Sequence, residues 1–91
     1  MAKLRMKKLT RELVAYRDNG LCQMCGKQAT SQHHIVFKSH CGANIAPNLI
    51  CLCNSCHRLV HSDEKKYRPI LLDLQSRHYG QLNIEELKRG N

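Results

Sequence analysis

Residues 51–61 have the sequence CLCNSCHRLVH, and this stretch decides how the chain folds. Cys53 and Cys56 form a Cys-x-x-Cys pair, which turns the chain so that both thiolates point at one ion. His57 and His61 are four residues apart, so on a helix both imidazoles lie on one face. Thiolates suit a closed structural zinc site, whereas imidazoles around an open position suit a catalytic ion. The stretch therefore predicts ligands for two different metal sites.

A second Cys-x-x-Cys pair, Cys22 and Cys25, stands earlier in the chain and is followed by a glycine that fits a tight turn. The four thiolates of the two pairs predict one tetrahedral structural zinc site. The two other cysteines, Cys41 and Cys51, belong to neither pair. On a strand Cys51 would share a face with Cys53, but it lacks the pair spacing, so we expect both remaining cysteines to be ordinary thiols.

Length and composition predict one small intracellular domain. A chain of 91 residues buries a small core, and a metal or disulfides often stabilise a chain of that size. No apolar signal segment and no membrane-length apolar run is found in the sequence. We therefore expect a cytoplasmic protein with reduced thiols, in which the six cysteines include a metal site rather than disulfides.

The formal charge of +8, from 15 Lys and Arg against 7 Asp and Glu, favours a polyanionic partner such as nucleic acid. Aromatic residues are few, which favours contact with a duplex backbone over base stacking on single strands. A solvated basic surface is the alternative. The candidate DNA-binding residues are the basic residues near the N-terminus: Lys3, Arg5, Lys7, Lys8, Arg11 and Arg17.

The N-terminal third is expected to hold one short helix. Residues 1–9 are a mobile basic arm or a helical extension, and Thr10 can cap a helix over residues 11–17. Helical spacing would turn Leu9, Leu13 and Tyr16 toward the core. Asn19 and Gly20 would end the helix, because glycine tolerates a left-handed cap.

Two antiparallel strands and a helix are predicted for the middle of the chain. Residues 29–37 end in a β-favouring run and predict the first strand, residues 39–47 a loop, and residues 48–53 the second strand. A helix over residues 56–62 would follow, capped by Asn54 or Ser55.

The C-terminal third is expected to add two helices after a charged turn at residues 63–68. Pro69 suits the first turn of a helix that ends near Gly80, and Asn83 can cap a short helix over residues 84–89. The apolar side of the helix at residues 70–79 would pack on the core, or alternatively form a homodimer contact.

Four histidines and one asparagine form a second constellation: His33, His34, Asn48, His57 and His61. A stable core does not need this many imidazoles. Hydrolysis of a phosphodiester needs an activated water, stabilisation of charge at phosphorus and help for the leaving oxygen. One histidine as general base and two or three as ligands of a divalent ion supply all three.

The chain resembles the HNH endonucleases, especially the small zinc-knuckle members from phages and bacteria. The matching segments are CQMC at 22–25, HHIVFKSH at 33–40, NLICLCNSCH at 48–57, and His61. The resemblance implies a small α+β fold with a ββα-metal, treble-clef-like core, structural zinc and flanking helices. The resemblance covers about residues 17–61. We expect a single domain, residues 1–91, made of a basic arm (1–9), the zinc-knuckle core (10–62) and C-terminal helices (63–91).

The resemblance also implies a role for each residue of the second constellation. His34 matches the general base, and His33 and His57 match metal ligands. His61 matches an accessory histidine that joins the metal or contacts phosphate. Asn48 matches the asparagine that holds the loop and orients the base through hydrogen bonds, with Asn44 as the weaker candidate.

One geometric difficulty concerns the two adjacent histidines. Neighbours on a regular strand point to opposite faces, so His33 and His34 cannot both reach one site from an ideal strand. Either the strand is bent or bulged there, or one histidine is structural. If only one acts, His34 is the one we expect.

The function that these features predict is a metal-dependent DNA endonuclease acting on double-stranded DNA through backbone contacts. His34 would take a proton from water, and an Mg²⁺, Mn²⁺, Ni²⁺ or Zn²⁺ ion would stabilise the transition state. The resemblance implies 5′-phosphate products and a bacterial or phage-infected cell as the setting. The alternatives are a zinc-knuckle module that binds nucleic acid without cutting it, and a zinc-stabilised protein-interaction domain.

Overall fold

The computed structural model describes the backbone of residues 2–89 and the side chains of residues 8–89. Its helices and strands, in chain order, are α1 (Ala2–Arg17), β1 (Ser31–His34), β2 (Leu49–Leu52), α2 (Asn54–Ser62) and α3 (Glu64–Tyr79). Short 3-10 turns lie at Lys38–His40, Ala46–Asn48 and Ile84–Leu87. The predicted small α+β fold, with two strands followed directly by a helix, is confirmed.

The two strands pair antiparallel, and their register decides which side chains face which helix. Ser31 lies opposite Leu52, and His33 lies opposite Ile50. This face packs toward α2 and α3, where most of the core lies. The fully buried apolar side chains there include Ile35, Ile50, Leu52, Val60, Leu71 and Leu87.

The opposite face of the sheet packs against α1. Cys51 and Leu49 of β2 form a small second core with Val14 of the helix. Gln32 and His34 of β1 are paired with these two β2 residues. Because side chains alternate along a strand, the adjacent residues His33 and His34 therefore face different helices.

Helix α1 includes residues 2–9, so of the two alternatives for that segment the helical extension is the one observed, and the helix turns a different face to the core than predicted. Its backbone is helical from residue 2, so Thr10 lies inside the helix and the predicted cap is wrong. Leu9, Leu13 and Tyr16 are exposed, with Tyr16 84% exposed, and Val14 is the buried residue. The helix ends at Arg17 as predicted, with Asn19 and Gly20 at positive φ.

Arg17 and Asp18 fasten the end of α1 to the loop before β2. The Arg17 guanidinium donates to both carboxylate oxygens of Asp18, each at 2.8 Å. It also donates to the carbonyl oxygens of Ala46 at 2.8 Å and Leu49 at 2.7 Å. Asp18 accepts the backbone N–H of Cys51 at 3.1 Å. Both side chains are nearly inaccessible, 11% and 0% exposed, so this is an interior ion pair.

Arg17→Ala is expected to lower the free energy of unfolding by about 3 kcal/mol, because it leaves the Asp18 carboxylate buried without a compensating positive charge. The measurement is urea unfolding of the zinc-loaded protein. Arg11→Ala is the matched control, since this arginine of the same helix is exposed and its loss should stay within about 0.5 kcal/mol. Equal losses for the two variants would show that the Arg17 network contributes nothing specific.

Helices α2 and α3 follow the second strand almost without a break. The side chain that caps α2 is Cys53, whose Sγ accepts the backbone N–H of Cys56, so the predicted caps Asn54 and Ser55 are wrong. The predicted turn at residues 63–68 is also wrong, because Asp63 caps α3 and the helix begins at Glu64.

Pro69 lies in the second turn of α3 rather than in the first. The helix nevertheless continues to Tyr79, where Gly80 at φ 72° ends it as predicted. Gln75 is buried in this helix and donates to the carbonyl oxygens of Pro47 at 2.9 Å and Leu49 at 3.0 Å. Helix α3 is thereby joined to the same loop that Arg17 holds from α1.

The loop between the strands is closed by the C-terminal turn. Asn83 caps that turn as predicted, and Leu87 is fully buried. The backbone N–H of Ala43 donates to the carbonyl oxygen of Leu87 at 2.9 Å. Gly42 passes so close to the chain that a Cβ atom there would lie 1.7 Å from the carbonyl oxygen of Val36, so only glycine fits.

Candidate metal centres and catalytic site

The four predicted zinc ligands meet at one point. The sulfur atoms of Cys22, Cys25, Cys53 and Cys56 all lie within 4.8 Å of one another. Cys25 Sγ and Cys53 Sγ are 3.5 Å apart. Four sulfurs bound at about 2.3 Å around a tetrahedral ion lie about 3.8 Å apart, so the cluster fits zinc. The sequence prediction of a four-cysteine cluster that can hold structural zinc is confirmed.

The electrostatics of this cluster also favour a cation. Burial raises the pKa of the Cys22 thiol, but backbone N–H groups of both knuckles outweigh it and bring the pKa to about 6. Burial and the neighbouring sulfurs raise the pKa of Cys56. Four thiols this close cannot all ionise together unless a positive charge compensates them.

The two remaining cysteines lie outside the cluster. Cys41 is exposed. Cys51 is buried against Val14, on the opposite side of the sheet from Cys53, so the expectation that these two share a face is wrong. The reason is that β2 ends at Leu52, and Cys53 already belongs to the turn into α2. Burial raises the pKa of Cys51 to about 11, which makes it an inert thiol.

Three histidines form a second cluster, built by β1 and α2. One ring nitrogen from each of His33, His57 and His61 lies within 4.8 Å of the others. The Nε2 atoms of His57 and His61 are 3.0 Å apart, as their spacing along one helix face predicts. His33 Nε2 is buried and has no hydrogen-bond partner among the described residues. An unsatisfied buried nitrogen beside two convergent imidazoles fits a bound cation.

Two rings of this cluster, His33 and His57, have a lowered pKa, which favours their neutral form. Burial, together with the neighbouring imidazoles, lowers the pKa of His33 to about 3. Burial and His61 lower the pKa of His57. A neutral imidazole keeps a nitrogen lone pair, which is the form that binds metal.

Ser31 fixes the orientation of His57. It lies on the same face of β1 as His33, and its Oγ is 2.9 Å from His57 Nδ1. The hydroxyl can accept from Nδ1–H while its own proton points toward the carbonyl oxygen of Leu52, 3.5 Å away. In that arrangement Nε2 of His57 carries the lone pair that faces the cluster. Sequence patterns gave no signal for this serine.

His34 stands apart from the three clustered rings. It is the last residue of β1, on the α1 face, and its Nε2 is 2.7 Å from Asn44 Oδ1. An amide oxygen only accepts, so Nε2 carries the proton and Nδ1 is the free base nitrogen. His34 lines the cavity of about 260 Å³ that also contacts His33, His57 and His61. The end of the strand thus brings both adjacent histidines to one cavity from opposite faces.

Asn44 and Asn48 have different hydrogen-bond partners and therefore different roles. Asn48 is fully buried and makes no hydrogen bond to His34. Its Oδ1 accepts the backbone N–H of Val36 at 2.8 Å, and its Nδ2 donates to the carbonyl oxygens of Val36 and Ala43. Asn48 therefore holds the loop closed, while Asn44, the weaker candidate from sequence, is the asparagine that contacts His34.

Phe37 forms an apolar wall behind the histidine cluster. Its ring meets His33 edge-on at 5.6 Å and stacks against His61 at 5.0 Å between centroids. It also lines the same cavity as the clustered rings. An aromatic wall restricts the two imidazoles to the orientations that converge. Sequence analysis placed this residue in a strand, but it lies in the turn after β1.

The predicted DNA-binding residues divide into three groups. Lys8 and Arg11 are exposed on α1. Arg17 is engaged in the interior network described above. Lys3, Arg5 and Lys7 lie on the helical backbone of α1, but their side chains fall outside the described part of the structure.

Comparison with known proteins finds a family match for the segment that holds both clusters. Residues 22–63 match the family model of the HNH endonucleases. This segment spans both zinc knuckles, the paired strands and α2, so the resemblance to the HNH endonucleases that the motifs indicated is confirmed over residues 22–63.

One relative is the Type IV methyl-directed restriction enzyme EcoKMcrA of Escherichia coli (strain K12). It is 31% identical over 58 residues, which cover 53% of this chain and 21% of the relative. The chain thus spans about a fifth of the length of that protein. Separately, none of the helices in the described residues is long and apolar enough to cross a membrane.

Proposed function

We propose that this chain is a metal-dependent DNA endonuclease that hydrolyses phosphodiester bonds. One observation carries the proposal: three imidazoles, one buried, one half-buried and one exposed, each bring a ring nitrogen to the same point, and a fourth histidine borders the same cavity. The family match and the restriction-enzyme relative support a nuclease. A domain that only binds nucleic acid has no use for this arrangement.

The proposed ligands of the divalent ion are His33, His57 and His61. Each offers one nitrogen to the same point, and the orphaned Nε2 of His33 is the strongest sign that a cation belongs there. A divalent ion bound by these rings would supply Lewis-acid stabilisation of the charge that develops on the phosphate. The neighbouring Phe37 excludes water from one side and so strengthens electrostatic interactions in the site.

The proposed general base is Nδ1 of His34. The hydrogen bond from Nε2–H to Asn44 Oδ1 fixes the tautomer, so Nδ1 is left to take the proton from the attacking water. As the ring becomes positively charged, the amide oxygen dipole stabilises it. Asn44 is thus a positioning residue for the base, and Asn48 holds the loop on which Asn44 stands.

The proposed DNA-contacting residues are Lys8 and Arg11, together with Lys3, Arg5 and Lys7 on the same helix. Such contacts position the duplex backbone without reading the bases. Arg17 is left out of this surface because its guanidinium is committed to Asp18 and two carbonyl oxygens.

Incubation with supercoiled plasmid tests the proposal. The zinc-loaded protein should relax or linearise the plasmid when Mg²⁺, Mn²⁺, Ni²⁺ or additional Zn²⁺ is supplied, and should do neither without added ion. A shifted but uncut band under every ion would favour the alternative, a zinc-knuckle module that binds nucleic acid without cutting it.

Ser31→Ala is expected to weaken ion binding at the histidine cluster by about tenfold or more, because the hydrogen bond that fixes the His57 tautomer is lost. Isothermal titration of the zinc-loaded protein with Ni²⁺ measures this affinity without reference to cleavage. Ser31→Thr keeps the hydroxyl and should restore binding.

Thr30→Ala is the neighbouring control for this experiment, since that residue lies just outside β1 and is not among the residues of the cluster. Wild-type affinity in Ser31→Ala would show that Ser31 does not position the ligand.

A further inference from the structure

A second and larger cavity lies on the other side of His34. It is a cleft of about 430 Å³ between α1 and the sheet, within the range of about 300–1,000 Å³ typical of ligand pockets. His34, Gln32 and Lys38 border both this cleft and the smaller cavity at the histidine cluster. The cleft therefore opens directly beside the proposed base.

The lining of the cleft is polar at its sides and apolar at its base. Arg11 of α1 and Lys38 of the loop after β1 are exposed and contribute positive charge. The buried residues Leu49 and Cys51 form the base. No acidic residue is among the described residues that line it. This combination suits a flat group with apolar faces and polar edges that is attached to an anion.

Gln32 contributes to the wall of the cleft an amide oxygen that has no hydrogen-bond partner among the described residues. Its Nε2 donates to the backbone carbonyl oxygen of Arg11 at 2.9 Å. Its Oε1 is buried and has no partner among the described residues. A buried acceptor without a partner is costly, and a ligand with N–H donors on its edge can relieve it.

We propose that the cleft receives one unpaired nucleotide of the DNA strand that is cut, next to the scissile phosphate. The nucleobase has apolar faces for Leu49 and Cys51 and polar edges for the side walls, and its phosphate lies near Arg11 and Lys38. A paired base is buried in the duplex stack, so it enters such a cleft only when it is unpaired or turned out. This inference rests on the proposed function.

The prediction is a preference for DNA that already contains an unpaired nucleotide. Fluorescence anisotropy compares a fully paired duplex with the same duplex carrying a single-nucleotide bulge, at one salt concentration and without added divalent ion. The bulged duplex should bind about tenfold or more tightly, because the protein no longer bears the cost of unstacking a base.

Thr30→Trp fills the cleft from its exposed edge and should reduce the preference to within about twofold, while binding of the paired duplex is kept. Gln81→Trp is the matched control, because it places the same side chain on an exposed position that lines neither cavity. It should leave the preference unchanged.

Three results would overturn the inference: equal binding of the two duplexes by the wild type, a preference that survives in Thr30→Trp, or no binding of either duplex. The cleavage assay separates this inference from the proposed function. If the protein prefers the bulged duplex but cleaves neither, the nucleotide-binding role of the cleft is supported and the nuclease activity is refuted. If it cleaves both duplexes at equal rates and binds them equally, the role of the cleft is refuted and the nuclease activity is supported.

Discussion

Cys56→Ala is expected to leave the chain largely unfolded. Cys56 is a partly buried member of the four-sulfur cluster, and its backbone N–H is also the group that Cys53 Sγ caps. Structural zinc contributes on the order of 10 kcal/mol to the folding of small zinc peptides. A core of this size has little to replace it, since the total stability of a domain is about 5–15 kcal/mol.

Far-UV circular dichroism and zinc content, measured on the same samples, check this expectation. Cys25→Ala should behave like Cys56→Ala, because it removes another ligand of the same cluster. Cys41→Ala is the matched control: this cysteine is exposed and outside the cluster, so the variant should fold and keep its zinc. A folded Cys25→Ala protein with full zinc would refute the four-cysteine site.

His34→Ala is expected to lower the rate of plasmid cleavage by about 10²–10⁴-fold, the usual contribution of a general base. The fold, the zinc content and DNA binding should stay as in the wild type. The reason is structural: His34 is half-exposed at the end of β1, and the only hydrogen bond described for its ring is to Asn44. Its removal therefore leaves no buried partner unsatisfied.

Two further variants separate the base from the ligands. His57→Ala should weaken binding of the second ion and leave the zinc in place, because the two clusters share no residue. His78→Ala is the control for loss of an imidazole, since this exposed residue of α3 lines neither cavity. Cleavage by His34→Ala at the wild-type rate would mean that another group takes the proton.

The four-cysteine cluster and the pairing of His57 with His61 were predictable from spacing, whereas His33 was assigned as a ligand only through the family resemblance. A Cys-x-x-Cys pair restricts its own geometry within one turn, and His57 and His61 share a face of any helix that contains them. The order of strands and helix followed from composition in the same local way. These features depend on neighbours in sequence, so a sequence without a structure is sufficient to find them.

Features that depend on distant contacts were missed or wrong. Leu9, Leu13 and Tyr16 have helical spacing, but the buried side of α1 is fixed by Arg17, whose partners lie 29 and 32 residues away. The cap of α2 was missed because the residue that accepts the backbone N–H there is Cys53, a predicted zinc ligand, rather than the asparagine or serine that usually occupies a cap.

The contact between Asn44 and His34 was missed for a similar reason. It depends on how a loop of 14 residues folds back on the strand, from Ile35 to Asn48. That path is fixed by Gly42, Asn48 and the C-terminal turn together, and none of them is near His34 in sequence. The motif therefore assigned the hydrogen bond with His34 to Asn48, whereas Asn44 makes it.

The pleat of β1 has a consequence for how this chain tolerates insertions. His33 and His34 face different helices only because His33 is held opposite Ile50 and His34 opposite Leu49. One residue added between the first knuckle and Ser31, if absorbed by a shift of the strand, would exchange the faces of the two rings. Every ligand and the base would still be present in the composition, yet His33 would take the place of His34 on the α1 face, and His34 would take the place of Ile35 on the core face. For an insertion absorbed in this way, the length of the segment from Gly26 to Thr30 matters as much as the identity of the two histidines.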